Sequence, residues 1–201
     1  MKLNPPTESE LFYPWLKQES ERNWENIKIN DNIHGFQIQA GTKWRPGLSI
    51  KEIEEFEKSI GLQFSKNLKL FYQCMNGVDK HGINIYANSG EKNKFRPIFH
   101  SFPQDIEIIN DYINWIYDEF QINKNECLKN EISRIFPVYS HRFILTDIEE
   151  EYILSMYGKD VILYAPTLKH LLMQEIFNVV YEDGSEYDEK IIYKKIKFWL
   201  D

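Results

Sequence analysis

Residues 44–77 read WRPGLSIKEIEEFEKSIGLQFSKNLKLFYQCMNG, and this stretch decides the fold. Pro46-Gly47 marks a turn. Ser49, followed three residues later by Glu52, is a capping box that starts a helix. Ile50, Ile53, Phe56 and Ile60 recur at helical spacing and form its expected buried face. Gly61 ends it as a left-handed cap. A second helix starts near Ser65 and repeats the spacing with Leu68, Phe71, Tyr72 and Met75; Asn76-Gly77 is expected to stop it. Two short helices with a tight break bury little between them, so a sheet must follow.

The downstream sequence supplies one. Ile83 to Ala87 alternates like a strand, and Phe95 to Phe102 is strand-prone, punctuated by Pro97. A helix is predicted from Pro103 to Gln121, with Ile106, Ile109, Ile113, Tyr117 and Phe120 on one face and Ile116 at its edge. Ile135 to Leu145 reads as one or two strands. Tyr152 to Tyr157 and Val161 to Tyr164 flank Gly158-Lys159-Asp160 as a hairpin. Pro166 opens a helix carrying Leu168, Leu171, Leu172, Glu175 and Ile176, and Ile191 to Leu200 forms a last one. Upstream, Glu8 to Trp24 reads as a helical arm with Leu11, Phe12, Trp15 and Leu16, interrupted by Pro14. Gly35 and Gly41, around Phe36, Ile38 and Ala40, suggest a short strand or an extended connector. Strands grouped between helices, without a regular βαβ rhythm, predict an α+β fold: a central, mostly antiparallel sheet flanked by helices. Residues 1–43 are expected to be an arm and connector and residues 44–201 the main domain, one globular unit overall.

Composition narrows the functional classes. The chain has 201 residues, 42% hydrophobic and 15% aromatic, enough for a sizeable core. No apolar run approaches the roughly 18 residues of a membrane-spanning helix. Met1 to Pro6 lacks the basic-then-apolar pattern of a secretion signal. Cys74 and Cys127 stand far apart, which indicates neither a zinc site nor a disulfide framework. A cytoplasmic location with no membrane association is the expectation. The formal charge of −7 disfavours nucleic acid and favours basic partners. Lys190, Lys194, Lys195 and Lys197 lie beside an acidic run and read as a solvated helix face.

Trp44, Pro46-Gly47-Leu48-Ser49, Ile53, Phe56-Glu57, Ile60-Gly61, Leu68, Phe71-Tyr72 and Asn76-Gly77 together resemble the opening helices of the SUKH superfamily. That superfamily includes a yeast cell-wall glucan-synthesis regulator and bacterial toxin-immunity proteins. Further on, Phe136-Pro137-Val138-Tyr139-Ser140-His141-Arg142-Phe143 and Ile153 to Tyr164 look like a bacterial branch. In that branch a strand with a Ser-His-Arg-aromatic element precedes a hairpin and an amphipathic helix. The resemblance covers roughly residues 44 to 180 and departs at Ser65, where proline is more usual; serine is also a good cap. It implies an α+β fold without catalytic residues or cofactors. It also implies binding to a cognate toxin, often a nuclease, as in polymorphic toxin systems. A regulatory interaction domain without a toxin partner is the alternative. Either would act as a monomer or weak dimer.

Candidate sites follow from chemistry. Glu57 projects between Ile50 and Ile53 toward the buried face, where a carboxylate needs backbone amides or a basic side chain. Ser140-His141 tempts a nucleophile–base reading, but adjacent strand residues point to opposite faces. His141 is therefore expected to fix the sheet, with Arg142 pairing an acidic residue. His34, His81, His100 and His170 show no metal-ligand spacing. No phosphate-binding loop, dinucleotide fingerprint, nucleophile elbow or zinc-protease motif occurs. From Pro97 to Asn123 there are five acidic residues and no lysine or arginine. Ile108, Asp111, Tyr112, Trp115, Asp118 and Glu119 form the second face of that helix, an aromatic patch rimmed by carboxylates that suits a basic protein. If a second layer, such as the N-terminal arm, covers Ile108, Tyr112 and Trp115, the patch is structural instead. Asp147, Glu149, Glu150 and Glu151 in one loop, and Glu182, Asp183, Glu186, Asp188 and Glu189 before the last helix, are further candidates for steering a positive partner.

Overall fold

Trp44 shows how the residues at the start of the deciding stretch are used. Its indole Nε1 donates to Ser20 Oγ at 2.7 Å, and its amide donates to a Glu21 carboxylate oxygen at 3.0 Å. Its ring lies 4.7 Å from Phe99, 5.3 Å from Trp24 and 5.8 Å from Phe71. A computed structural model describes residues 3–33, 35–85, 94–129, 132–196 and 198–200, and of residues 94, 124 and 128 only the backbone. The chain divides into two compact units.

Unit 1 comprises Met1–Glu55 and Lys69–Asp105. It holds helix α1 (Ser9–Trp24), strands β1 (Gly35–Gln37) and β2 (Trp44–Pro46), the start of helix α2 (Ile50–Ile60) and most of helix α3 (Lys66–Cys74). Strands β3 (Met75–Val78), β4 (Gly82–Ile85) and β5 (Lys94–Arg96) complete it. The antiparallel sheets are β1-β4-β5 and β2-β3. The first helix is packed into the unit: Phe12, Tyr13, Leu16 and Trp24 are buried, whereas Leu11 is 59% exposed. Pro14 lies within it, and Lys17 Nζ donates to the Cys74 carbonyl at the end of α3 at 3.1 Å, a favourable place for a cation.

The capping box forms as expected, with Ser49 and Glu52 exchanging amide bonds at 2.8 and 3.3 Å. Ile53, Phe56 and Ile60 are buried, but Ile50 is 67% exposed, because the first turn of α2 lies outside the buried stripe. Asn76-Gly77 does not form a turn. Helix α3 ends at Cys74 and the chain runs directly into β3. The Asn76 side chain clamps the backbone of Phe102, donating to its carbonyl at 2.7 Å and accepting from its amide at 2.8 Å. The expected Ile83–Ala87 strand ends at Ile85, and Ala87 lies outside the described residues. Only Lys94–Arg96 of the Phe95–Phe102 stretch is a strand.

Two glycines let backbone meet backbone. A Cβ on Gly47 would sit 1.9 Å from the Gln73 carbonyl oxygen, and the neighbouring Leu48 amide donates to Tyr72 O at 2.8 Å. A Cβ on Gly77, at φ +67°, would sit 2.8 Å from the His100 carbonyl carbon.

Unit 2 comprises Phe56–Leu68 and Ile106–Asp201. It contains helices α4 (Ile106–Glu119), α5 (Lys124–Lys129), α6 (Leu168–Phe177) and α7 (Glu189–Lys195). Its antiparallel sheet runs β6 (Ile135–Tyr139), β7 (Arg142–Leu145), β8 (Ile153–Tyr157) and β9 (Asp160–Ala165), in that order. The register places Pro137, Phe143 and Leu154 on one face and Phe136, Arg142, Ile144 and Ser155 on the other. Helix α4 covers the first, with Tyr112 edge-on to Phe143 at 6.4 Å. On the second, Phe136 meets Phe56 and Phe64 at ring separations of 5.9 and 5.0 Å. Gly61, at φ +69°, ends α2 as the left-handed cap, and Ser65 Oγ accepts from Leu68 N at the start of α3. The chain is α+β, with antiparallel pairing in three sheets among the described residues rather than one central sheet.

Gly47→Ala should lower unfolding stability by about 3 kcal/mol or more, because backbone cannot yield as a flexible side chain can. Gly35→Ala, with nothing within 4 Å but φ +108°, should cost only about 1–2 kcal/mol; equal urea midpoints for the two variants would contradict this. Burial pushes the buried His100 imidazole down to about 4, partly offset by the Asp105 carboxylate. The folded protein thus excludes a proton that the unfolded chain takes up. Stability should fall as the pH drops from about 6.5 to about 4 and then level off, by on the order of 3 kcal/mol from this residue. In urea titrations His100→Gln should show a smaller loss between pH 7 and pH 5 than the parent.

Candidate functional site

The strongest convergence of polar side chains surrounds the turn between β6 and β7. Ser140, at φ +48°, and His141 are the two turn residues. The alternation expected of strand residues therefore does not apply, and Ser140 Oγ comes within 3.4 Å of His141 Nδ1. The chemistry of the other ring nitrogen settles what this pair can do. His141 Nε2 faces a guanidinium nitrogen of Arg142, which only donates, so Nε2 must accept and the proton resides on Nδ1. Nδ1–H then donates toward Ser140, the reverse of a general base. Burial and the Arg142 charge hold the imidazole at about 4, hence neutral, and Ser140 itself is buried.

Arg142 finds the acidic partner expected of it. Its Nε lies 3.6 Å from a Glu175 carboxylate oxygen on α6, both side chains being largely buried. The same guanidinium donates to Ser155 Oγ at 2.6 Å and lies 3.8 Å over the Tyr164 ring, a cation–π contact. Tyr164 Oη donates to Glu175 and accepts from Gln174 Nε2 at 3.2 Å. One arginine thus ties β7, β8, β9 and α6 together. Glu57 is half-buried rather than buried, but its carboxylate finds a backbone amide as expected, accepting from Phe64 across the Gly61 turn.

The second face of α4 is partly covered, though by unit 2's own sheet. Tyr112 rests on Phe143, and Trp115 meets Tyr157 at 5.4 Å, edge to face. Asp111, Asp118 and Glu119 are exposed, and Ile108 is 36% exposed. The sequence reading missed Tyr157, which is 61% exposed beside the hairpin turn. The only signal for it was its place next to Gly158.

The acidic segments are largely engaged within the unit. Glu151 is the clear correction: it is 2% exposed, at φ +59°, and its carboxylate accepts from the Asn67 amide at 3.0 Å, at the start of α3. It caps a helix and presents no charge to a partner. Burial pushes its carboxyl above the ordinary range. Asp147 accepts twice from the Arg134 amide at 3.2 Å and pairs with its guanidinium at 3.6 Å. Glu150 pairs with Lys195; Lys190 and Lys194 are exposed, in keeping with a solvated helix face, and Lys197 lies outside the described residues. Asp183 accepts from Ser185 N at 2.9 Å and Tyr187 Oη at 2.8 Å, and Asp188 caps α7. Glu149, Glu182, Glu186 and Glu189 are exposed.

Of the other histidines, His81 is exposed and His34 lies outside the described residues. His170 sits 5.0 Å from Tyr181 and 5.1 Å from Tyr187, ring to ring, its Nδ1 2.7 Å from Thr167 Oγ1. Among the described residues no group of three or more His, Cys, Asp or Glu is placed to hold a metal ion, and no helix is long and apolar enough to cross a membrane.

No protein-family model matches the chain, and no curated protein matches it.

The Arg142–Glu175 pair yields a stability prediction. Glu175→Leu alone, which strands the guanidinium in a largely buried place, should cost about 3 kcal/mol. The double variant Arg142→Met/Glu175→Leu should recover most of that loss in thermal or urea unfolding. Additive losses would show that the two side chains act independently.

Proposed function

We propose that this chain is a non-catalytic binding module of the SUKH type that neutralises a cognate bacterial toxin, most specifically a nuclease domain with a positive substrate site. The observation that carries the reading is the outer side of α4. It presents Asp111, Asp118 and Glu119 to solvent with half-buried Tyr112 and Trp115 between them, and no lysine or arginine lies between Pro97 and Asn123. A nuclease must hold an anionic substrate, so its site attracts carboxylates, and aromatic side chains supply the desolvated contact that charge alone lacks. The resemblance of residues 44–77 and 136–164 to that superfamily supports the same class of partner. The Ser140-His141-Arg142 cluster favours binding over hydrolysis, since the proton on Nδ1 leaves Ser140 without a base.

The test is capture from the native host with the tagged protein, followed by mass spectrometry and a toxicity rescue. The expected result is equimolar recovery of a basic nuclease-like fragment whose toxicity the chain suppresses. Charge reversal at Asp111, Asp118 and Glu119 should then slow association at least ten-fold at low salt, with the difference shrinking as ionic strength rises. Recovery of only cell-envelope or housekeeping proteins, with no rescue, would favour the regulatory reading.

A further inference from the structure

The tip of the β8–β9 hairpin adds to the outer side of α4 something that neither element has alone. Tyr157, at the end of β8, is the most exposed aromatic side chain in unit 2 among the described residues. It is held in place from two sides: the Trp115 ring meets it edge to face at 5.4 Å, and the His141 ring does so at 6.3 Å. Exposed carboxylates stand on the backbone beside its turn. Asp160 is its cross-strand partner and is exposed. The Glu119 carboxyl lies 3.6 Å from where a Cβ of Gly158 would stand, so the helix end and the hairpin turn are neighbours, and Asp118 is exposed in the same last turn of α4.

The basic groups nearby offset this little. Lys159 is exposed in the turn, Arg142 is already paired with Glu175, and His141 is neutral near pH 7. Among the described residues the tip thus combines a ring edged by Trp115 and His141 with three exposed carboxylates and one exposed lysine. A guanidinium suits such a seat better than an ammonium. It stacks flat on an aromatic ring, sheds water more easily, and can bond a carboxylate through two N–H groups at once.

We infer that the hairpin tip, through Tyr157, Trp115, Glu119 and Asp160, is the seat for an arginine side chain of a basic protein partner. This rests on the reading of the chain as a protein-binding module and moves the centre of its interface from the middle of α4 to the tip. Tyr157 supplies the stacking surface, Trp115 holds the ring, and Glu119 and Asp160 take the guanidinium N–H groups.

The probe is a hexa-arginine peptide with blocked ends, titrated into the full-length, isotope-labelled protein and followed by backbone and indole NMR shifts. Saturable shifts are expected to concentrate at residues 115–119 and 155–160. Tyr157→Ala should weaken binding about ten-fold, as should Glu119→Gln combined with Asp160→Asn; Tyr157→Leu, which keeps an apolar side chain without the ring, should weaken it nearly as much. Glu182→Gln combined with Glu186→Gln should leave it unchanged. Unaltered thermal unfolding of each variant keeps the comparison one of binding. Shifts centred on Glu149 or on residues 182–189, or a Tyr157→Ala affinity within two-fold of the parent, would overturn the inference, and equal binding of hexa-lysine would overturn the choice of arginine. A captured toxin indifferent to Tyr157→Ala would remove the seat and leave the functional reading standing. Localised peptide binding with no toxin captured would do the reverse.

Discussion

Unit 1 depends on backbone meeting backbone where no side chain fits. Gly47 lies against the last turn of α3, so close to Gln73 that even a methyl group is excluded, and the next amide, Leu48, bonds the Tyr72 carbonyl. That contact satisfies a carbonyl near a helix end that would otherwise need a cap or water. It also sets β2 beside β3, which places Trp44 among Trp24, Phe71 and Phe99. Gly77 repeats the device against His100, and the Asn76 amide secures the same segment from the other direction. The two glycines thus govern where the aromatic side chains can go.

Unit 2 solves a different problem, that of ending and joining elements with charged groups. Glu57 bonds an amide beyond the α2 cap, Glu151 caps α3, and Asp188 caps α7. Each places a carboxylate where backbone N–H groups lack partners, the natural position for negative charge. Arg142 does the corresponding work for the sheet. Its planar, multi-donor head reaches Ser155, Glu175 and the Tyr164 ring together, which a lysine could not do. The neutral His141 beside it belongs to this clasp.

What the sequence made legible was governed by local chemistry. The capping box at Ser49, the left-handed Gly61, the Ser65 cap, the Gly158 hairpin and the start of a helix after Pro166 all rest on interactions within a few residues. Periodicity found the buried face of α4, and Ile116 at its edge is as fully buried as Ile109 and Ile113. The misreadings involve partners distant in sequence. Asn76-Gly77 has the composition of a helix stop, yet its role is set by His100 and Phe102, more than twenty residues on. Glu151 looks like the last member of a solvated acidic run, and only the fold brings it to Asn67. Helix α5 is too short and polar for its spacing to register. Within the candidate site, the carboxylates of α4 were visible from spacing alone. Tyr157 was not, because strand alternation cannot tell a ring at an open hairpin end from one inside a sheet.

The internal engagement of so many carboxylates bears on how any mutational scan of this molecule should be interpreted. Acidic side chains here form two populations that composition cannot separate. One is welded into caps and clasps, as at Glu57, Glu151, Asp183 and Glu175; the other stands free on α4 and at the hairpin tip. Swapping a member of the first population changes how much intact protein a cell accumulates, while swapping one of the second changes what that protein can hold. A survival screen registers both as the same loss. Abundance and occupancy would have to be recorded side by side, variant by variant, before the acidic character of this chain could be credited to recognition rather than to architecture.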